Sequence, residues 1–351
     1  MPSVWLVNIY MSKIDINNTI NTFAELGKRL ANPDEALMGI INTERQYNAW
    51  FTPESVLSAV KATGEMLNST DLSQWLAKYN ITEAKGKRIG LVLAGNIPLV
   101  GFHDVLCVLV SGNHALIKAS SQDARLIKYV LNLLVEVDSS YADKSSFVER
   151  LVDFDAIIAT GSNNTSRYFE YYFGKVPNII RKNRNSIALL TGNESTEELH
   201  ALGNDIFDYF GLGCRNVSKL LVPAGYNFNS FFEAIEDFHP IINHHKYNNN
   251  YDYNKSIYLV NGDQHLDNGF LMLKQDERLT SPLAVLFYDI YESLDSAQET
   301  LLQQSEQLQC IVTTAAIKTQ NQQVPFGQSQ HPQLWDYADG VDTMEFLSTL
   351  S

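Results

Sequence analysis

RIGLVLAGNIPLVGFHDVLCVLVSGNHALIKAS (Arg88–Ser120) is the stretch whose reading decides the fold. Two short β-rich runs, RIGLVLAG (Arg88–Gly95) and HALIKAS (His114–Ser120), bracket a helical segment, Pro98–Ser111. Short apolar runs closed by glycine or small polar residues read as strands of a buried sheet. The alternation continues downstream. DAIIATG (Asp155–Gly161) and SIALLTG (Ser186–Gly192) read as further strands, with Ser121–Val137 and Thr165–Phe173 as crossover helices. This pattern is the signature of a parallel α/β sheet with right-handed crossovers.

Further on, Leu199, Leu202, Ile206 and Tyr209 mark a helix, and GLGCRNVSKLLVPAG (Gly211–Gly225) a turn and a strand. A helix near Phe228–Phe238, strands at Ser256–Val260 and Ala284–Asp289, a helix at Leu294–Gln307 and a strand at Cys310–Thr314 complete a second α/β unit, from about Glu194 to about Val324. The Asn-rich patch Asn243–Asn254 reads as a surface loop. Upstream, Ile16, Ile20, Phe23, Leu26 and Leu30 recur at helix spacing. Thr52-Pro53-Glu54 supplies an N-cap with proline at the first helical position. Leu72, Trp75, Leu76 and Tyr79 predict a third helix. The tail Pro325–Leu347 is too aromatic for a disordered end.

Composition narrows the function. The chain has 351 residues, 45% of them hydrophobic, enough for two or three domains. Lys plus Arg number 26 against 40 Asp plus Glu, a net charge of −14 that repels a phosphate backbone and argues against nucleic-acid binding. Cys107, Cys214 and Cys310 are too sparse for a disulfide framework or a structural zinc site, and a reducing cytoplasm fits them. His244-His245 lacks further ligands at metal spacing, so no metal is expected. VLCVLV (Val105–Val110) is far too short to span a bilayer. The N-terminus MPSVWLVNIYM has no basic region and no cleavage site, and Met11 is an alternative start.

Four segments carry chemistry. In GLGCR (Gly211–Arg215), two glycines permit a tight turn ahead of Cys214, and Arg215 would favour the nucleophilic thiolate. The other reading is an inert core cysteine, which also suits Cys107 and Cys310. In AGNIPLVGFHDV (Ala94–Val105), Asn96 follows a strand, where its amide either donates to a developing oxyanion or caps a helix. In GNHALIKASSQDAR (Gly112–Arg125), Lys118 ends a strand where α/β folds bind ligands, or is simply solvated. In ATGSNNTSR (Ala159–Arg167), Gly161 and Ser162 lead into a helix whose N–H groups can cradle a pyrophosphate. That segment lacks the GxGxxG fingerprint and is weak taken alone.

Together, in this order, the four segments resemble the aldehyde dehydrogenase superfamily. More closely, GNIPLVGFHDVLCVLVSGNHALIKAS, GCRNVSKLLVP and LWDYADGVDTMEFL are similar to the acyl-CoA reductase (LuxC-like) family, over roughly Gly86 to the C-terminus. That family includes the reductase component of the bacterial bioluminescence fatty-acid reductase complex. The resemblance implies an aldehyde dehydrogenase-like α/β fold. Residues 1–80 would form a helical segment and 81–193 a Rossmann-type NADP-binding domain, rejoined by 325–351. Residues 194–324 would form the catalytic domain. Cys214 matches the nucleophile, Asn96 the oxyanion amide, Lys118 the ribose lysine, and Gly161 and Ser162 the pyrophosphate contact. The implied activity is NADPH-dependent reduction of a long-chain acyl thioester, on coenzyme A or acyl carrier protein, to an aldehyde. A homo-oligomer, and a partner that activates or transfers acyl groups, are also implied. The alternatives are a reductase of acyl phosphates and a non-catalytic subunit of an acyl-transfer complex.

Three departures from the superfamily pattern matter. Ser121 stands where oxidising members place a Glu on the ribose 2′-hydroxyl, which favours NADPH. RKNRNSIALL (Arg181–Leu190) stands where the Glu that activates water normally lies, and it contains no carboxylate. A reductase must keep its acyl-cysteine from water, so the loss suits reduction. The second cofactor Glu would lie four residues before Pro282, where Arg278 stands beside Glu277, and leaves that side of the ribose without its usual partner.

Overall fold

The computed structural model describes residues 14–81 and 85–350, so Met11 and the apolar N-terminus lie outside the described residues. Four helices come first: α1 (Ile16–Ala31), α2 (Glu35–Thr43), α3 (Pro53–Met66) and α4 (Ser69–Leu76). The expected Thr52 cap is present, its hydroxyl accepting from Ser55 N at 3.2 Å. Helix α2 was not foreseen. Asp34 caps it, accepting from Leu37 N at 2.8 Å. Helices α1 and α3 cross at Gly27 and Gly64, where a Cβ on Gly64 would stand 2.5 Å from Ala31 N and 2.6 Å from Gly27 O.

The first sheet contains β1 (Arg88–Val92), β2 (His114–Lys118), β3 (Ser145–Phe147), β4 (Ala156–Thr160) and β5 (Asn178–Arg181). Helices α5 (Phe102–Val110), α6 (Ala124–Val137) and α7 (Asn163–Phe173) connect them. The order is β3-β2-β1-β4-β5, with every neighbouring pair parallel. The chain moves outward from β1 through β2 to β3, then returns to β4 on the other flank of β1. That reversal opens a crevice at the carboxyl ends of β1 and β4, where such sheets bind ligands. The helix expected from Pro98 begins only at Phe102, which leaves Asn96 on a loop.

The second sheet contains β6 (Asn185–Leu189), β7 (Val217–Pro223), β8 (Leu266–Asp267), β9 (Met272–Gln275), β10 (Val285–Tyr291), β11 (Leu308–Val312) and β12 (Gln322–Val324). Its order is β12-β11-β6-β7-β10-β9-β8, parallel except between β8 and β9. Helices α8 (Thr196–Phe207), α9 (Phe228–Ala234), α10 (His245–Asn261) and α11 (Leu294–Gln303) lie along this part of the chain, and α12 (Thr343–Thr349) closes it.

Two expectations need correction. SIALLTG, assigned above to residues 81–193, is β6 and lies between β11 and β7, so the division between sheets falls between Arg181 and Asn185. The expected loop at Asn243–Asn254 and strand at Ser256–Val260 are one helix, α10. Its buried side is marked by Tyr247, Tyr251, Asn254 and Tyr258, at helix spacing. The strand-like end, Leu259 and Val260, is exposed, and Gly262 terminates the helix at φ +68°.

The tail crosses back to the first sheet. Leu334, Tyr337, Met344, Leu347 and Leu350 are buried in the same core as β1 and α5. Trp75 Nε1 donates to Tyr337 Oη at 2.7 Å, and Tyr79 Oη donates to Asp342 Oδ2 at 2.7 Å.

Candidate active site

Cys214 stands on a turn between α8 and β7. The approach to it is strained: Tyr209 (φ 52°), Phe210 (φ 60°) and Gly211 (φ 76°) are successive left-handed residues. A side chain in this region costs free energy, and such strain gathers at functional sites. Asn216 locks the turn. Its Oδ1 accepts from Gly213 N at 2.8 Å, while its Nδ2 donates to the carbonyls of Asp205 at 3.2 Å and Asp208 at 2.8 Å.

The thiol is exposed to the cleft described below, but protein surrounds it on its other sides. Burial pushes its pKa up to about 11; Arg215 opposes the rise, while Asp339 and Cys310 add to it. The expectation that Arg215 would make an acidic thiol is therefore corrected. The guanidinium is committed elsewhere, Nε donating to Ser329 O at 2.5 Å and Nη2 to Gln322 Oε1 at 2.6 Å. Cys107 and Cys310 are fully buried, as expected for core residues.

Asn96 does not cap α5, whose first residue follows Gly101 with no side-chain cap. Its Nδ2 donates to Leu212 O at 2.7 Å, bringing the amide against the Cys214 turn. One N–H of that amide is spent. The other has no partner among the described residues.

Lys118, Ser121, Gly161 and Ser162 gather at the carboxyl ends of β2 and β4, on the two flanks of β1. Lys118 is exposed, and its ammonium has neither hydrogen bond nor ion pair among the described residues. Ser121 lies exposed in the turn ahead of α6. Ser162 caps α7, its hydroxyl accepting from Thr165 N at 3.2 Å, so the helix N-terminus rather than this hydroxyl is left to face a ligand. A Cβ on Gly161 would stand 2.8 Å from the Phe169 ring and 3.1 Å from Thr165 Cβ. Asp123 is the nearby carboxyl, and burial raises its pKa well above the ordinary range. An ammonium at Lys118, the Ser121 hydroxyl in place of a carboxylate, and a helix N-terminus fit a phosphorylated dinucleotide.

Between the sheets lies a cleft of about 300 Å³ that reaches Cys214. Ala59, Met66, Ile97, Leu99, Val100 and Phe102 give it apolar walls. Arg181 also lines it, buried and paired with Asp104, its Nη2 donating to Thr343 Oγ1 at 2.9 Å.

The acyl-CoA reductase (LuxC) family model matches residues 11–223, well over half of the chain. The chain belongs to the acyl-CoA reductase (LuxC) family. No curated protein sequence matches it. Solved structures show that its fold is that of the aldehyde dehydrogenases. Aldehyde dehydrogenase 21 from Physcomitrella patens, in complex with the reaction product succinate, is 12% identical with TM-score 0.67; the match covers 97% of this chain and 84% of that one. An E. coli NADP-dependent enzyme is 9% identical with TM-score 0.66, covering 90% and 78%. The Mycobacterium tuberculosis aldehyde dehydrogenase complexed with NAD+ is 13% identical with TM-score 0.62, covering 88% and 77%.

Several residues of this candidate site were not singled out from sequence. The tail brings His331, Gln333 and Asp336 to the cleft, and α3 and α4 bring Glu65 and Asp71. Asp205 of α8 holds the tail in place, its carboxylate accepting from Gly327 N at 2.6 Å and Ser329 N at 2.8 Å. The motif-like residue types carry no sequence signal for these contacts, which join positions more than a hundred residues apart. Arg181–Leu190 supplies no carboxylate, but other elements do bring some to the walls. His244, considered above as a metal ligand, stacks on Trp50 at 5.0 Å, with its Nε2 2.9 Å from Ala49 O. No helix among the described residues is long and apolar enough to cross a membrane.

Proposed function

We propose that the chain catalyses NADPH-dependent reduction of a long-chain acyl thioester to an aldehyde, through an acyl intermediate on Cys214. The observation that carries this reading is the Asn96–Leu212 hydrogen bond, which joins the oxyanion amide to the nucleophile turn at 2.7 Å. The apolar cleft beside Cys214 suits a hydrocarbon chain better than an acyl phosphate.

The steps follow from the residues. The Cys214 thiol gives up its proton as it attacks the thioester carbonyl, and His331, an imidazole on the cleft wall, is the acceptor of suitable type. The tetrahedral oxyanion accepts from the free N–H of Asn96 and from the Cys214 backbone N–H. Each such donor contributes about 2.7–4 kcal/mol to the barrier reduction. Collapse breaks the bond to the carrier sulfur, which leaves as a thiol, and the acyl group remains on Cys214. Reduction then requires a hydride donor, which is the chemistry that NADPH supplies when bound. Lys118 and the α7 N-terminus would hold its phosphates and ribose, with Ser121 leaving room for the 2′-phosphate. Asn96 holds the second oxyanion too. Breaking the Cys214 sulfur–carbon bond releases the aldehyde.

Labelling with radioactive acyl-CoA tests the assignment. Cys214→Ala should take up no label, whereas Cys107→Ala and Cys310→Ala should be labelled like the wild type. Label on Cys214→Ala would show that the nucleophile lies elsewhere. A wild type that takes up no acyl group would indicate a non-catalytic subunit.

A further inference from the structure

A second cavity, of about 330 Å³, adjoins the Cys214 cleft, and Gln309 and Asp336 line both. Its character is different. Side-chain amides of Gln309, Gln320, Asn321 and Gln322 line it, and nothing in the mechanism above uses them. Gln309 is 6% exposed. Its Oε1 accepts from Asp339 N at 3.0 Å, while its Nε2 has no partner among the described residues and opens onto the cavities it lines. Gln322 accepts from Arg215, the neighbour of Cys214, at 2.6 Å, and its own Nε2 is likewise unspent. Asn321, on the same cavity, spends its Nδ2 on the carbonyls of Ser305 and Leu308 and keeps a buried Oδ1 without a partner among the described residues. A buried acceptor of this kind is costly unless a ligand completes it.

The charges narrow the ligand. Glu306, Asp336 and Asp339 line this cavity, and its one guanidinium, Arg184, is spent on Leu308 O at 3.1 Å and Asp339 at 3.4 Å. A phosphate would be repelled there. A neutral arm with amide and hydroxyl groups would not.

A thioester presents such an arm on one side of its carbonyl and hydrocarbon on the other. We propose that this polar cavity receives the pantetheine-type arm of the thioester carrier, that the acyl chain lies in the apolar cleft, and that the Gln309 amide donates to an arm carbonyl at the partition. The proposal rests on the thioester reading above and assigns the carrier half of the substrate. Coenzyme A and acyl carrier protein share this arm, so the chemistry covers both.

The test compares kcat/KM for one acyl group presented as acyl-pantetheine, acyl-CoA, acyl carrier protein and the S-ethyl thioester, which has no amide. Gln309→Glu keeps the acceptor for Asp339 N–H and removes the donor. It should lower kcat/KM for acyl-pantetheine roughly tenfold, the worth of one hydrogen bond, and leave the S-ethyl thioester unchanged. Gln320→Trp, at an exposed wall position with no hydrogen bond to lose, fills the cavity without touching the core and should give the same pattern. A loss with acyl-CoA, with acyl carrier protein or with both identifies the carrier. Equal losses for amide-bearing and S-ethyl thioesters, or no loss for either, would overturn the assignment and leave the thioester reading intact. A wild type that turns over no thioester would overturn both.

Discussion

At Cys214 the surroundings work against ionisation. With a pKa of about 11, only roughly one thiol in ten thousand is ionised at pH 7. The pKa is raised, so the thiolate fraction rises through the whole accessible alkaline range. Alkylation by iodoacetamide in the absence of substrate should therefore accelerate about tenfold per pH unit from 7 to 10, with no plateau. A plateau below pH 9 would mean an acidic thiol. If His331 takes the proton, His331→Ala should slow acylation strongly at pH 7 and progressively less toward pH 10, whereas a merely structural role would give the same loss at every pH. Position 121 gives a second residue-scale prediction. Ser121→Glu would place a carboxylate where a 2′-phosphate is expected, so it should weaken NADPH at least roughly tenfold more than NADH. Equal losses would place this residue away from the ribose. The candidate residues could be picked out because strand–Asn–x–Pro, the lysine ending β2 and the Gly-x-Gly-Cys turn are local patterns. The pKa was not: Arg215 adjoins Cys214 in sequence, yet its guanidinium reaches Ser329 and Gln322.

Among the elements, the α1–α3 crossing is the most constrained. Gly64 admits no Cβ, because the atoms it would strike are backbone of α1 and cannot rotate away. Gly64→Ala should destabilise the chain by about 3 kcal/mol, with a lower midpoint in urea and an unchanged slope. An unchanged midpoint would show that the helices separate easily. Helices with apolar stripes were readable, as α1 and α3 show. Helix α10 was not, because its inward face is built of tyrosines amid asparagine and its last turn, Ile257–Val260, carries a strand-like composition. The short β3 and β12 carried no apolar run to announce them, since Ser145–Phe147 and Gln322–Val324 are mostly polar. Their pairing with longer neighbours supplies what their composition lacks.

On the scale of the whole molecule, two parallel-dominated sheets meet at Cys214, and a tail tied to both closes the cleft. The alternation of strands and helices made the two-sheet plan legible. The position of β6 was not, because a strand contiguous with the first unit pairs with β7 and β11 only through long-range contacts. The arrangement has a kinetic consequence. Arg181–Leu190, where the superfamily's water-activating Glu would stand, contributes no carboxylate. Of those on the cleft wall, Asp104 is bound to Arg181, and Glu65, Asp71 and Asp336 come from other elements. Acyl-Cys214 should thus resist hydrolysis and wait for reduction.

The most direct measurement isolates that intermediate. The enzyme would be acylated with radiolabelled long-chain acyl-CoA and freed of excess substrate. Free fatty acid and aldehyde would then be followed with and without NADPH. The account predicts a hydroxylamine-sensitive adduct on Cys214 that persists without NADPH and is discharged as aldehyde when NADPH is added. Rapid release of fatty acid in the absence of NADPH would contradict it, because a group on the cleft wall would then be activating water against the acyl-enzyme.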